Sequence, residues 1–299
     1  MSTPHLAVDP IELEDAPRAP LLLRMASLAK RQPLGFAGLL VVVMMVFAAV
    51  FAPWLTPYNP LENSFEHMLV APSAEFWLGT DQFGRDILTR IIYGARTALF
   101  VGFICAIVGA FGGLVLGVGS AYFGGKVDLL FQRVMDVFMA FPLIIMALAI
   151  VATLGTGTDK VIIAITIPFI PQCARVVRSS ALSLREIPYV DAARACGFSH
   201  LRIIMRHMIP NVMAPFLIMI TTFVGQAILL EASLSYLGLG VQEPTAAWGL
   251  MLQGGAEEYA ESAPWVPIFP GIAITLAVFG FNLFGDALRD VLDPKLRNR

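Results

Sequence analysis

The sequence predicts an all-α membrane protein with six transmembrane helices. Three observations lead there. Of 299 residues, 57% are apolar and only 14% charged, whereas a soluble domain carries about 25% charged residues. The apolar residues gather into runs close to the ~20 that a helix needs to cross the hydrocarbon. The lysines and arginines are divided unevenly among the polar segments between those runs, which is the pattern that sets orientation in a bilayer.

The elements follow in order. Residues 1–33 hold Pro4, Pro10, Pro17 and Pro20 and end near Lys30-Arg31, so they read as a loose tail. Asp9, Glu12, Glu14 and Asp15 precede any apolar run, which argues against a cleavable signal peptide. The first span covers 34–51, or 34–55 with its flank, and Trp54 and Tyr58 suit the membrane interface. In the polar segment 56–96, Ile87, Leu88, Ile91 and Ile92 recur at helical spacing against Asp86, Arg90 and Arg96. That pattern predicts an amphipathic helix lying on the membrane.

The second span covers 97–123. Along it Cys105, Gly109, Gly113, Gly117 and Ala121 stand four apart, a small-residue ridge on which helices pack backbone to backbone. The ridge serves packing either within this chain or against a partner subunit. The third span, 128–154, carries Arg133 and Asp136 at pairing distance near its start. Pro168 and Pro171 are expected to kink the fourth, 161–177. The fifth covers 212–230 and extends through Glu231 toward Tyr236; the sixth covers 266–288. Residues 97–288 thus form a five-helix core. Asp286, Arg289, Asp290 and Asp293 lie at helical neighbour spacings and are expected to pair before Pro294 stops the helix, leaving 289–299 as a short tail.

Of the 20 lysines and arginines, 16 fall in residues 1–33, 124–133, 175–210 and 289–299. Only Arg85, Arg90, Arg96 and Lys160 fall elsewhere. Basic residues concentrate in the cytoplasm, so both tails and the 175–210 loop are expected there and 56–96 outside.

That loop holds the most informative stretch, Tyr189 to Asn211, with Asp191-Ala192-Ala193, then Gly197, His207 and Pro210-Asn211. Two short helical runs are expected to meet at Gly197, which permits a bend that residues with a Cβ resist. The second run is expected to stop at Pro210, which lacks a backbone donor. The small residues would let another surface approach closely.

This stretch resembles the EAA loop of permease subunits of binding-protein-dependent ABC importers, with Asp191 in the place of the usual glutamate. The segments LGTDQFGRD (78–86), YGARTAL (93–99), EASLSYLGLG (231–240) with Pro244 and Trp248-Gly249, and FNLFGDALRDVLDPKLR (281–297) are similar to blocks of the dipeptide, oligopeptide and nickel transporter subfamily, most of all its C-type subunit. The resemblance implies a type I ABC importer permease fold in the bacterial inner membrane. It implies that 184–211 couples to cytoplasmic ATPase subunits through Asp191, Ala192, Ala193, Gly197, His207, Pro210 and Asn211. The implied partners are a second, B-type permease, two ATP-binding cassette subunits holding ATP and Mg, and a periplasmic substrate-binding protein. Dipeptides or oligopeptides are the implied cargo; nickel or another small solute is the alternative.

Other residues invite a role on their own. Glu231, near the outer end of the fifth span, should face the bundle or water, either lining a substrate path or hydrogen-bonding a neighbouring helix. Asn282 in the sixth span has the same two readings. His207 has no second ligand nearby in sequence, so metal binding is not expected. Cys105, Cys173 and Cys196 are far apart, form neither a disulfide framework nor a zinc site, and read as small packing residues. A net charge of −2 offers no nucleic-acid footprint. The chain has no GxxxxGK[ST] phosphate loop and no GxSxG elbow, so no cofactor and no bond chemistry are expected on it. An ion-coupled secondary transporter is the alternative from another class, but neither an internal repeat nor a buried relay of acids and histidines is visible.

Overall fold

A computed structural model describes residues 32–256 and 258–292. Among them the long regular elements are helices, α1 Pro33–Leu55, α2 Ile87–Phe123, α3 Gly125–Met139, α4 Leu143–Leu154, α5 Thr158–Arg185, α6 Pro188–Ala195, α7 His200–Tyr236, α8 Trp248–Ala256 and α9 Trp265–Leu292. Five of these, α1, α2, α5, α7 and α9, are each long and apolar enough to cross a membrane, and α3 with α4 makes a sixth where the bent pair counts as one span.

Helix α2 is the axis of the bundle. The Asp86 carboxylate caps it, accepting from the Thr89 amide at 2.8 Å and the Thr89 hydroxyl at 2.6 Å. No proline interrupts it for 37 residues, and it ends at Gly124, whose amide donates to Ser120 C=O. This corrects the expected amphipathic surface helix. Residues 87–96 are the first turns of α2, and Arg90 is fully buried rather than turned to solvent. Of the side chains that looked like a wet face, Arg90 finds partners in distant loops, Asp86 caps its own helix, and the exposed Arg96 donates to the Ala49 and Val50 carbonyls of α1.

The small-residue ridge of α2 faces α5 within the same chain. A Cβ on Gly109 would come within 2.7 Å of Phe169 Cβ, one on Gly113 would collide with Cys173 Cβ, and one on Gly117 would lie 2.6 Å from Ala174 C=O. The two backbones are therefore as close as glycine allows. On the other side of the core, Phe169 of α5 stacks on Phe223 of α7 at 4.2 Å. Helix α1 lies against α9, where Gly35 meets Ala287 and Gly38 meets Leu283 and Gly280. Outward, α1 and α2 show rows of exposed apolar side chains, among them Phe47, Phe51, Phe100, Phe111 and Val115. Hydrocarbon surroundings call for such a surface.

The third crossing departs from the sequence expectation. In place of one helix over 128–154, α3 and α4 meet at 85°. Pro142 follows Phe141 and opens α4; it disfavours helical backbone at the residue before it and lacks a donor. The Arg133–Asp136 pair is loose, at 3.9 Å and exposed. Asp136 instead takes Arg175 of α5 at 2.7 Å, and Asp128 takes Arg178 in a two-point grip at 2.5 and 2.6 Å. Helix α5 continues through Pro168 and Pro171 to Arg185 without ending at either.

Among the described residues Arg289 makes no ion pair with Asp286 or Asp290, contrary to expectation; Asp290 accepts from Gln32 of the chain entering α1, at 3.2 Å. Asp293 and Pro294, like the 1–31 part of the tail, lie outside the described residues. Helix α8 was not foreseen. It sits under the end of α7, and Gly249 lies so close to Ala232 C=O that a Cβ there would collide.

The helices alternate in direction, so the bundle has two ends. One gathers the ends of α2 and α5 with 186–211, the start of α7 and Arg194, Arg202 and Arg206. The other gathers residues 56–86, the start of α2, the end of α7, the loop 237–247 and α8.

Candidate functional site

At the arginine-rich end, α5 gives way to α6, whose first turn carries Pro188 and Asp191. Proline is preorganised for that position, and an acidic side chain there is favoured by the helix dipole. Val190 and Ala193 are buried, while Asp191, Ala192, Arg194, Ala195 and Cys196 are exposed. The short helix is thus anchored by one face and presents the other. Arg194 donates to Asp191 at 3.1 Å across the exposed face.

Gly197 ends α6 with φ +76°. Its amide donates to Arg194 C=O at 2.9 Å and the Phe198 amide to Ala193 C=O at 3.2 Å, the paired bonds of a glycine-terminated helix. A residue with a Cβ would be strained there by about 1–2 kcal/mol. The chain turns, Ser199 caps the next run, and α7 begins.

The start of α7 is irregular, and it corrects the expectation that Pro210 stops a helix. A π turn over Ile204–Met208 and a 3-10 turn over Ile209–Val212 lead without a break into the regular helix Met213–Tyr236. Such turns inside a helix mark a hinge or a segment under strain. Pro210 brings no amide, and the His207 carbonyl is taken up by two side chains, the Tyr189 hydroxyl at 3.0 Å and Asn211 Nδ2 at 2.7 Å. Asn211 Nδ2 also lies 3.3 Å from the Tyr189 oxygen. The His207 ring lies over Phe198 at 6.1 Å, nearly parallel. The structure therefore brings Tyr189, His207, Pro210 and Asn211 together as a staple between α6 and the π turn. Asp191, Ala192 and Gly197 lie on the presented side, with Phe198, Leu201 (70% exposed) and Met205. No three candidate metal ligands converge among the described residues. Cys105 and Cys173 are buried, as packing residues should be, but Cys196 is exposed and corrects that reading.

The other end of α2 holds a feature that sequence reasoning missed. Asp81 accepts from the amides of Phe83 and Arg85, both at 2.9 Å, and from Arg85 Nε at 2.7 Å. Arg85 then forks onto Glu243 at 2.8 and 3.2 Å. Burial pushes the Arg85 pKa down, but the bonds and charges of Glu243 and Asp81 outweigh it and hold the guanidinium above its ordinary value. Arg90 lies 3.6 Å from Asp81 and 3.8 Å from Glu243, and donates to Pro60 C=O at 3.0 Å. Thr97 donates to Ala246 C=O at 2.8 Å, Trp248 Nε1 to Ile91 C=O at 2.9 Å, and Trp265 Nε1 to Thr80 C=O at 3.2 Å. Two arginines and two carboxylates thus lock residues 60–86, the start of α2 and the loop 243–248 into one body. The local signal was Asp81 and Arg85, four apart and each close after a glycine, Gly79 and Gly84; Glu243 is too distant in sequence to have been tied to them.

Glu231 is enclosed by its own subunit. It is 1% exposed inside the subunit and accepts from Ser235, one turn on, at 2.8 Å. Ser235 in turn receives the Val241 amide at 3.1 Å. Through Ser235 the carboxylate fixes the chain leaving α7, and among the described residues it makes no hydrogen bond to another helix. Asn282 is exposed on α9, facing Gly225 of α7.

Comparison with known proteins agrees with this architecture. Residues 109–298 match the family described as binding-protein-dependent transport system inner membrane component, and residues 28–72 match the N-terminal transmembrane domain of oligopeptide transport permease C. The dipeptide transport system permease protein DppC of Alkalihalophilus pseudofirmus is 45% identical over 269 residues, 90% of this chain and 88% of that protein. The di/tripeptide permease DppC of Pseudomonas aeruginosa is 42% identical over 267 residues, 87% of this chain and 88% of that one. The glutathione permease GsiD of Escherichia coli is 41% identical over 270 residues, 90% and 88%. An inward-facing structure of the MetNI methionine ABC transporter superposes with a TM-score of 0.56 over 69% of this chain and 98% of that one, at 19% identity, a likeness of fold. A multi-pass helical bundle with a short anchored helix presented at one end, a family match across most of the core and relatives more than 40% identical along nearly the whole chain lead to one assignment: the chain belongs to the inner-membrane permease components of binding-protein-dependent ABC importers, in the C-type oligopeptide branch.

Proposed function

We propose that this chain forms half of the translocation pore of a peptide importer and that residues 184–211 are its contact with a cytoplasmic ATPase. The observation that carries the second part is the build of the segment. α6 is anchored by Val190 and Ala193 and presents Asp191, Ala192 and Arg194, and a strained, stapled turn joins it to a long helix. A rigid, shallow, small-residue surface suits docking into a groove. The hinge-like start of α7 suits transfer of motion, since a change in the partner moves this chain only through contacts that differ between two states. ATP and Mg would act on the partner chains, and a second permease would complete the pore. Peptide cargo rests on the relatives named for dipeptides, di- and tripeptides and glutathione. Asn282, open beside Gly225, is assigned to the path; both termini and 184–211 are assigned to the cytoplasm.

The test is transport by the complete complex in proteoliposomes. Gly197→Val should leave the protein inserted while ATP-driven uptake of a labelled dipeptide, delivered by the binding protein, falls sharply. Wild-type uptake and wild-type peptide-stimulated ATP hydrolysis by that variant would refute the coupling role.

A further inference from the structure

The last turn of α2 is gripped at three points along the proposed coupling segment. From one end, Arg185 at the close of α5 donates to Ala121 C=O at 3.0 Å. A cation is favoured at a helix C-terminus, where the last carbonyls lack partners. Gly124 leaves room for it, since a Cβ there would strike the Arg185 guanidinium. Farther along the segment, His200 Nδ1 and the Tyr122 hydroxyl share a 2.7 Å hydrogen bond, with the rings edge to face at 5.6 Å. Phe123 lies 6.0 Å from the same imidazole. Arg194, on α6 between the two, sets its guanidinium 5.0 Å over the Tyr122 ring. Tyr122 is buried, although His200 and Arg194 are exposed. Tyr122 is therefore a fixed socket and the segment's side chains are the plug.

The opposite end of α2 holds the loop 243–248 through Arg90, Ile91 and Thr97. An uninterrupted helix of 37 residues spans about 55 Å, the full depth of the bundle.

We propose that Tyr122, with Arg185 beside it, is a positioning socket through which displacement of residues 186–211 enters α2, and that α2 delivers it to the 243–248 loop at the far end. The proposal rests on the coupling role of 184–211. It makes α2 the rod of the mechanism, and it makes the Tyr122–His200 bond a joint whose loss uncouples the chain without unfolding it.

The experiment compares variants of the complete importer in proteoliposomes, reading dipeptide taken up per ATP hydrolysed. Tyr122→Phe keeps the ring beneath Arg194 and removes only the hydroxyl. It should lower that ratio about fivefold, the size of effect one hydrogen bond supports, while basal ATP hydrolysis by the purified complex is unchanged. His200→Leu should lower the ratio, whereas His200→Asn, whose amide can stand in for Nδ1, should restore most of it. The Tyr122→Phe/His200→Leu double variant should be no worse than the poorer single one. Thr97→Val, at the far end, should combine non-additively with Tyr122→Phe.

A wild-type ratio for Tyr122→Phe overturns the joint. Strict additivity of Thr97→Val with Tyr122→Phe overturns the rod. If assembly falls, the ratio is read on the assembled fraction, where the same outcomes decide. Gly197→Val separates the two levels. If it uncouples and Tyr122→Phe does not, only the socket fails; if neither uncouples, the coupling role itself fails.

Discussion

The two ends of α2 use the same residue types in opposite ways. At one end Asp81, Arg85 and Arg90 are buried; Arg85 bonds Asp81 and the exposed Glu243, and Arg90 lies beside both carboxylates and donates to backbone carbonyls, with its Nε left without a hydrogen-bond partner. At the other, Asp191, Arg194, Arg202 and Arg206 stand exposed, and the one pair among them, Asp191–Arg194, is open to water. A buried ionic cluster fixes geometry, because removing one member strands the rest. An exposed pair contributes little to stability and leaves its charges available to a partner. The difference separates a frame from the end proposed as the contact, and the predictions below are ways to break that distinction.

The largest effect is expected at the frame. Arg90→Ala leaves the buried Asp81 with Arg85 as its one cation and removes the side-chain bonds to the Pro60, Pro244 and Thr245 carbonyls; it should destabilise the chain by about 3–5 kcal/mol, read as a loss of folded protein after solubilisation. A change below about 1 kcal/mol would mean that the cluster is not a structural lock. Next comes the ridge. Gly113→Leu would drive a side chain into Cys173 and Ala174 and should cost about 1–3 kcal/mol, seen as a lower melting temperature in detergent. Third, Gly197→Val should cost about 1–2 kcal/mol of backbone strain yet abolish most coupled uptake, so that function falls further than stability does. The smallest stability effect belongs to Arg194→Ala, under about 1 kcal/mol for an exposed pair. That variant should still weaken association with the ATPase, measured by co-purification at increasing salt; an unchanged association would place the contact elsewhere.

How far the sequence reached follows the same division. The spans were legible because hydrocarbon demands long apolar runs, and α1, α2, α5, α7 and α9 all contain the expected ones. The ridge at Gly109, Gly113 and Gly117 was legible as packing, but its partner, α5, required the fold. The break at Pro142 was hidden inside a continuous apolar stretch. Arg90 was misread as solvent-facing because helical periodicity shows that a face is polar and not whether a distant loop covers it; its partner Glu243 stands far along the chain. Pro210 was read as a stop, yet side chains from Tyr189 and Asn211 take up the carbonyl left by the irregular turns. Helix α8 was masked by Gly249, Gly254 and Gly255, which weigh against a helix in water but allow close approach to the end of α7, to Gln82 and to the start of α9 respectively. At the candidate site, the motif residues were found by their pattern. Their internal staple and the Tyr122 socket depend on contacts between elements, which no local spacing encodes.

The central claim is that the presented face of 186–211 sits in the cytoplasm against an ATPase. Cys196 tests it directly, being exposed while Cys105 and Cys173 are buried. A membrane-impermeant maleimide should label Cys196 in inside-out vesicles stripped of the ATPase, lose that labelling when the ATPase is added back, and fail to reach it in intact cells or spheroplasts. Labelling of Cys196 from outside the intact membrane, or labelling indifferent to the ATPase, would contradict the account.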